Sequence, residues 1–221
     1  MNMVQPSDNK EKSATRECYL KLRDLILTGA MPPGQKLKIE ELRGLLSTGA
    51  SPVREALSLL TSDMLVERID QRGFRAAPVS KANFEEILML RCALEDIALR
   101  ASLANADQAW EERLVLSHHH MKQTKKRNPA EFETAHKAFH MALLSNAELP
   151  TLLHYCSQLY DLNIRYRYLA AGGASYGKRS IEDEHQIILD AALEQNADAT
   201  SAALTSHYKR TGEYLSNQME A

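Results

Sequence analysis

The chain has 221 residues, 27 Lys and Arg against 29 Asp and Glu, and a net charge of −2. That balance excludes a reader of nucleic acid that works by overall charge, and no run approaches the ~18 apolar residues of a membrane span. The length suits a small domain followed by a larger one, each able to bury a core.

Residues 1–13 are polar, lack the apolar segment of a signal peptide, and are expected to form a disordered arm. An apolar helix marked by Tyr19, Leu22, Leu25 and Ile26 follows, stopped by Gly29 and then by Pro32-Pro33-Gly34. A short helix is predicted over Ile39 to Leu46, then a turn through Ser47-Thr48-Gly49-Ala50. A second helix opens at Ser51 as N-cap with Pro52 in its first turn, and Val53, Ala56, Leu57 and Leu60 form its apolar face. Two short helices around a Gly-containing turn form a helix-turn-helix, whose second helix enters a DNA major groove. Met64 to Ile69 reads as a strand, Asp70-Gln71-Arg72-Gly73 as a turn and Phe74 to Val79 as a return strand, which makes the module a winged helix. At the wing tip Arg72 offers a cation, and Gly73 lets backbone approach phosphate or the minor groove.

Past the link Pro78-Val79-Ser80-Lys81 every segment reads as helix: about 81–104, 107–127, 130–145, 149–170, 177–195 and 197–218. The fold class is therefore mainly α, an N-terminal winged helix-turn-helix (14–79) and a C-terminal all-α six-helix bundle (80–221). Residues 1–80 hold 12 Lys and Arg against 10 Asp and Glu, and the remainder 15 against 19. So weak a basic excess implies that DNA affinity comes from a dimer on two half-sites. Cys18, Cys92 and Cys156 lack metal spacing and read as core thiols of a reducing cytoplasm.

The first bundle helix carries two apolar stripes, Phe84, Ile87, Leu88 and Ala98 on one side and Leu90, Leu94, Ile97 and Ala101 on the other, as expected of a helix buried between partners. Arg91 and Glu95 interrupt the first stripe at i, i+4. They are either a helix-surface ion pair or an arginine turned into a cavity to meet an acid. Of eight histidines, His136 and His140 lie one turn apart and can grip one metal. His118, His119 and His120 face three directions and read as a solvated face; His154 has no assignment. On the fourth bundle helix Tyr155, Leu159, Leu162, Tyr166 and Leu169 form the expected core stripe. Arg165 either pairs with Asp161 or, with Arg167, joins Arg91 in binding an acid.

Pro33-Gly34 with Leu37, then Pro52-Val53-Arg54-Glu55-Ala56-Leu57, then Arg72-Gly73, resemble the GntR family of bacterial winged-helix repressors over residues ~15–79. The resemblance implies double-stranded DNA contacts at Ser51, Pro52, Arg54, Arg72 and Gly73. Ala50 departs from the arginine that many relatives carry before the recognition helix. The helical half resembles the FadR-like branch, whose effector domain is called FCD. That implies a homodimer on a palindromic operator, effector contacts from Arg91, Arg165 and Arg167, and metal ligands His136, His140, His185 and His207. His136 stands where the family usually has Asp. Four neutral imidazoles favour a divalent transition metal, Zn or Ni, over Mn or Mg. The His136-x-x-x-His140 pair and the Arg165-Tyr166-Arg167 segment resemble members associated with glutarate-type dicarboxylates, implying a small carboxylate, a short dicarboxylate or hydroxy acid. Two other readings stay open: a regulator that answers to metal alone, and a metalloenzyme using Glu133, Asp183 or Glu184. Against the enzyme, no base or nucleophile stands at working spacing.

Overall fold

The structure, a computed structural model, describes residues 6–70, 72–127, 129–171 and 181–219, with side chains described for 13–70, 72–125, 131–169 and 181–215. Residues 1–5 of the expected arm, Gln71 of the turn, Asn128 between the second and third bundle helices, and residues 177–180 of the fifth bundle helix lie outside the described residues. The chain divides into two compact units, 1–80 with 164–172, and 81–163 with 173–221.

The first unit opens with α1 (Pro6–Leu27), which takes in residues 6–13 of the stretch expected as an arm. Those residues are polar and carry no apolar stripe, so helical periodicity gave no sign of them. Further on, Cys18, Leu22 and Ile26 recur at helical spacing and are buried, and α1 packs on α3 (Ala50–Ser62) through Val53, Ala56, Leu57 and Leu60. Two side-chain ties hold this pair: the Thr15 hydroxyl donates to Glu55 at 2.8 Å and the Tyr19 hydroxyl to Asp63 at 2.7 Å. α2 (Ile39–Leu46) ends with Ser47 in the left-handed region (φ 52). The N-cap of α3 is Gly49, with extended backbone, rather than Ser51. Helical geometry starts before the Ser-Pro pair, which places Ser51 and Pro52 inside the first turn.

β1 (Lys36–Leu37), β2 (Val66–Ile69) and β3 (Gly73–Ala76) form an antiparallel sheet in the order β1-β3-β2. β1 was not foreseen, because two residues are too few to show an alternation. β2 and β3 form the wing, aligned with Val66 opposite Ala76 and Ile69 opposite Gly73, and Arg75 pairs across to Glu67. Gly73 has φ +92, a conformation L side chains rarely adopt, and Arg72 N–H closes the turn on the Ile69 carbonyl at 3.0 Å.

The second unit holds α4 (Lys81–Ala104), α5 (Gln108–Arg127), α6 (Pro129–Leu144), most of α7 (Pro150–Ala171), α8 (Ile181–Leu193) and α9 (Ala197–Met219). Asp107 and Asn196 cap α5 and α9, accepting from Trp110 N–H at 2.7 Å and Ala199 N–H at 3.0 Å. The core gathers Leu99, Trp110, Leu114, Phe139, Leu143 and Ile188 with their neighbours. Gly212 lets α9 lie close to α4, since a Cβ there would collide with Leu88. This contact sets two helices that carry site residues against each other.

One sequence expectation needs correction, at Tyr155, and another is met on only one side within a single chain. In the second stripe of α4, Leu90 and Ile97 are exposed, as is Met89. Within one chain α4 is thus buried on one side only. Tyr155 of the expected α7 stripe is also exposed, whereas Leu159, Leu162 and Tyr166 are buried. Among the described residues no helix is long and apolar enough to cross a membrane.

Candidate metal and effector site

The second unit brings four buried histidines to one point: His136 and His140 from α6, His185 from α8 and His207 from α9. One ring nitrogen from each lies within 4.8 Å of the others. His136 Nε2 lies 2.9 Å from His185 Nε2 and 3.1 Å from His140 Nε2.

The opposite edges of the rings are engaged. His136 Nδ1 meets the Tyr160 hydroxyl at 2.6 Å, His140 Nδ1 the Tyr208 hydroxyl at 2.9 Å, and His207 Nδ1 the Glu184 carboxylate at 2.8 Å. A neutral imidazole has one N–H. Glu184 accepts only, so His207 keeps its proton on Nδ1 and presents a bare Nε2. Tyr208 donates to Glu95, so its oxygen is left to accept from His140 Nδ1. Crowded lone pairs repel, and His136 Nε2 faces two other nitrogens but can donate to one at most. A cation shared by the four nitrogens would resolve the conflict. The four residues offer one nitrogen each to a shared centre, the donor set a transition metal would take. Residues holding Nδ1 edges in this way orient ligands and fix their tautomers.

Arg91 lies beside this cluster, 3 % exposed. Its Nε donates to Glu95 at 2.8 Å and its Nη1 to Asn163 at 3.0 Å. The guanidinium carbon lies 4.1 Å from the Tyr208 ring centre and 4.9 Å from that of Tyr160. Burial alone would lower its pKa, but the Glu95 carboxylate more than offsets this and keeps the group charged. Burial, then Glu95, pushes the Tyr208 hydroxyl well up, so it stays a neutral donor. Arg91 Nη2 is buried with no hydrogen-bond partner. The Arg91–Glu95 pair is thus a buried ion pair, not the surface pair of one reading, and it leaves one donor open.

The structure brings Arg91 and the four histidines into one unit but not all the expected residues. Arg165 belongs to the last turns of α7, which cluster with the first unit. Its Nη2 donates to the Ala77 carbonyl at 2.6 Å, and Asp161 pairs instead with Lys137. Arg167 is half-buried in the same turns. Glu133 lies 3.6 Å from His136, Glu184 holds His207, and Asp183 is exposed. Sequence reasoning missed Tyr160, Asn163 and Tyr208 as partners of the site. Tyr208 had a signal, since it adjoins His207; Tyr160 and Asn163 had none.

His119, His120 and His154 are exposed, as a solvated face requires, but His118 is buried against the Phe139 ring, 5.2 Å between centroids. Trp110, Leu114, His118 and Met121 follow helical spacing along the buried face of α5, a pattern the histidine run conceals. Burial first, then Lys122, lowers the His118 pKa. The folded state therefore binds fewer protons than the unfolded one, and stability falls as pH drops through the unfolded value of about 6.5. Replacement by Gln is expected to reduce the drop in urea midpoint between pH 7 and pH 5.5; equal drops in both proteins would contradict this. The three thiols are raised by burial, Cys156 to about 12, and stay protonated.

In the first unit Arg54 and Ser51 are exposed, Pro52 is buried in the α3 turn, and Arg72 and Gly73 are exposed at the wing tip. Residues 14–75 match the family model described as bacterial regulatory proteins, gntR family, and residues 86–210 match the FCD domain. The chain belongs to the gntR family. Among curated members, it is 34 % identical over 203 residues to the uncharacterized HTH-type transcriptional regulator BphR of Paraburkholderia xenovorans, covering 89 % of this chain and 82 % of that protein. It is 26 % identical to the HTH-type transcriptional repressor GlaR of Escherichia coli, covering 86 % and 90 %. The solved structure of E. coli McbR/YncC shares the fold, with a TM-score of 0.81 at 20 % identity over 98 % of this chain and 99 % of that one. This gntR-family member is a DNA-binding transcription regulator, and its FCD domain carries a four-histidine cluster suited to a metal ion.

To test the supporting contacts, Tyr208→Phe is expected to weaken binding of Zn or Ni about 10–100-fold in competition with a chelator dye. An unchanged affinity would remove Tyr208 from the site.

Proposed function

We propose that this protein is a cytoplasmic, metabolite-responsive repressor that binds a palindromic operator as a homodimer and senses a small carboxylate at a transition-metal site. The observation that carries the reading is the joint presence, in one buried place, of four converging imidazoles and the unpartnered Nη2 of Arg91. His136, His140, His185 and His207 would hold the ion, Zn or Ni by donor softness. When bound, such an ion supplies a Lewis-acidic position for one oxygen of an anion. Arg91 supplies a charged donor for a second oxygen, with its plane fixed by Glu95, Asn163 and the two tyrosine rings. The four ligands are neutral and Arg91 is already balanced by Glu95. A doubly charged short dicarboxylate therefore suits the site better than a monoacid. The exposed apolar residues Met89, Leu90 and Ile97 of α4 support a helix that a second copy covers.

At the DNA end, Arg54 is exposed on α3 and no ion pair to it stands among the described residues, which supports base or phosphate contact over a helix-internal role. The wing tip at Arg72 and Gly73 supplies a second contact. Arg54→Ala is expected to weaken operator binding about 10–100-fold by fluorescence anisotropy; a change under twofold would take Arg54 out of the interface.

The effector reading is tested by titrating short dicarboxylates and hydroxy acids against a labelled operator duplex bound by metal-loaded protein. One acid is expected to shift operator affinity about 5–150-fold, with the shift absent in Arg91→Met. If metal alone produces the whole shift and no acid adds to it, the protein is a metal-responsive regulator instead.

A further inference from the structure

α7 carries two sets of contacts that meet at adjacent residues. Within the second unit, the Tyr160 hydroxyl holds His136, Asp161 pairs with Lys137 and Asn163 accepts from Arg91. Within the first unit, Arg165 Nη2 donates to the Ala77 carbonyl at 2.6 Å, and Ser80 N–H donates to the Tyr166 hydroxyl at 3.4 Å. Ala77 N–H donates to the Leu65 carbonyl at 3.0 Å, and Leu65 N–H donates to the Leu60 carbonyl of α3, also at 3.0 Å. Ala77 is therefore gripped at its carbonyl by α7 and at its amide by the segment that follows the recognition helix.

Arg165 is 3 % exposed, and among the described residues its Nε has no partner and its acceptor is a main-chain carbonyl. A buried cation held so sparingly is a poor device for stability alone. Its position explains it better. Asn163 and Arg165 are two residues apart on a continuous helix, a rise of about 3 Å. Backbone hydrogen bonds of one helix tie the two residues, so a displacement at Asn163 is felt at Arg165.

We propose that α7 is the transmitting element of this regulator, and that Arg165 and Tyr166 are positioning residues that fasten the linker Ala77–Ser80 to it. This gives Arg165 a role in coupling rather than in effector binding. The inference goes beyond the function proposed above and does not depend on which ion or acid the site holds.

The test is hydrogen exchange on the 221-residue chain, read at peptides covering 77–83, without added metal or acid. Arg165→Met keeps the apolar stem and removes the donor; it is expected to speed exchange of the linker amides about tenfold. Asn163→Ala, and separately Tyr160→Phe, alter only the distant end of the lever and are each expected to speed linker exchange a few-fold. Neither is expected to add to Arg165→Met, because the path is already cut. Tyr166→Phe replaces Arg165→Met if that variant does not fold. Linker exchange that ignores both Asn163→Ala and Tyr160→Phe, or effects that simply add, would overturn the proposal. Loss of carboxylate binding in Arg165→Met with linker exchange unchanged would return Arg165 to the effector site. Absence of bound metal would count against the metal site alone and leave these outcomes readable.

Discussion

His140→Ala and His185→Ala are each expected to reduce bound transition metal from about one ion per chain to a small fraction of that. Their thermal midpoints should become insensitive to metal and chelator. Wild-type protein, by contrast, should lose about 10 °C on chelation. An ion at about 1,000 times its dissociation constant stabilises the state that binds it by about 4 kcal/mol. For a domain of this size each kcal/mol moves the midpoint by about 2–4 °C. Without the ion, four buried imidazoles with Nε2 atoms as close as 2.9 Å remain, and an N–H on His136 Nε2 can satisfy only one of its two neighbours. Inductively coupled plasma mass spectrometry and differential scanning calorimetry check both parts. A chelator response that survives in His140→Ala would place the stabilising ion elsewhere.

Glu95→Ala is expected to cost about 3–5 kcal/mol, among the largest single losses in the second unit. It leaves Arg91 charged at 3 % exposure with only Asn163 as a polar partner and removes the acceptor of the Tyr208 hydroxyl. The double change Arg91→Met with Glu95→Leu should recover most of that loss, since an apolar pair of similar volume avoids burying a lone charge. Urea denaturation followed by circular dichroism measures both. If the double variant is no more stable than Glu95→Ala, the loss arises from packing and not from the unpaired guanidinium. The same double variant should fold and fail to respond to an acid, and without the Glu95 acceptor for Tyr208 it should also bind metal more weakly. Glu95 thus has two tasks: it keeps Arg91 charged and, through Tyr208, sets the tautomer of His140.

Much of this architecture was legible in the sequence because it rests on local signals. Gly29, the Pro-Pro-Gly turn and the Arg72-Gly73 tip mark chain reversals that only certain residues permit, and the helices of the second unit are separated by short polar breaks such as Asn105 to Asp107. The four histidines were legible as a set through family resemblance, and only His136 and His140 through spacing. What stayed hidden depends on which neighbour a side chain meets. No helical period reveals that Tyr160 and Tyr208 turn their hydroxyls to imidazoles, or that Arg165 turns to a main-chain carbonyl. His118 was misread because two exposed histidines follow it, although its spacing from Leu114 places it inside. The α3 cap at Gly49 was masked by the stronger Ser-Pro signal two residues later.

The central claim is that the buried histidine cluster is a metal site. It is tested most directly by elemental analysis of purified protein without added histidines, before and after exposure to Zn and Ni. The account predicts about one transition-metal ion per chain that survives dialysis and is lost in His136→Ala. Protein that stays free of metal after loading, with the imidazoles still buried and folded, would contradict it.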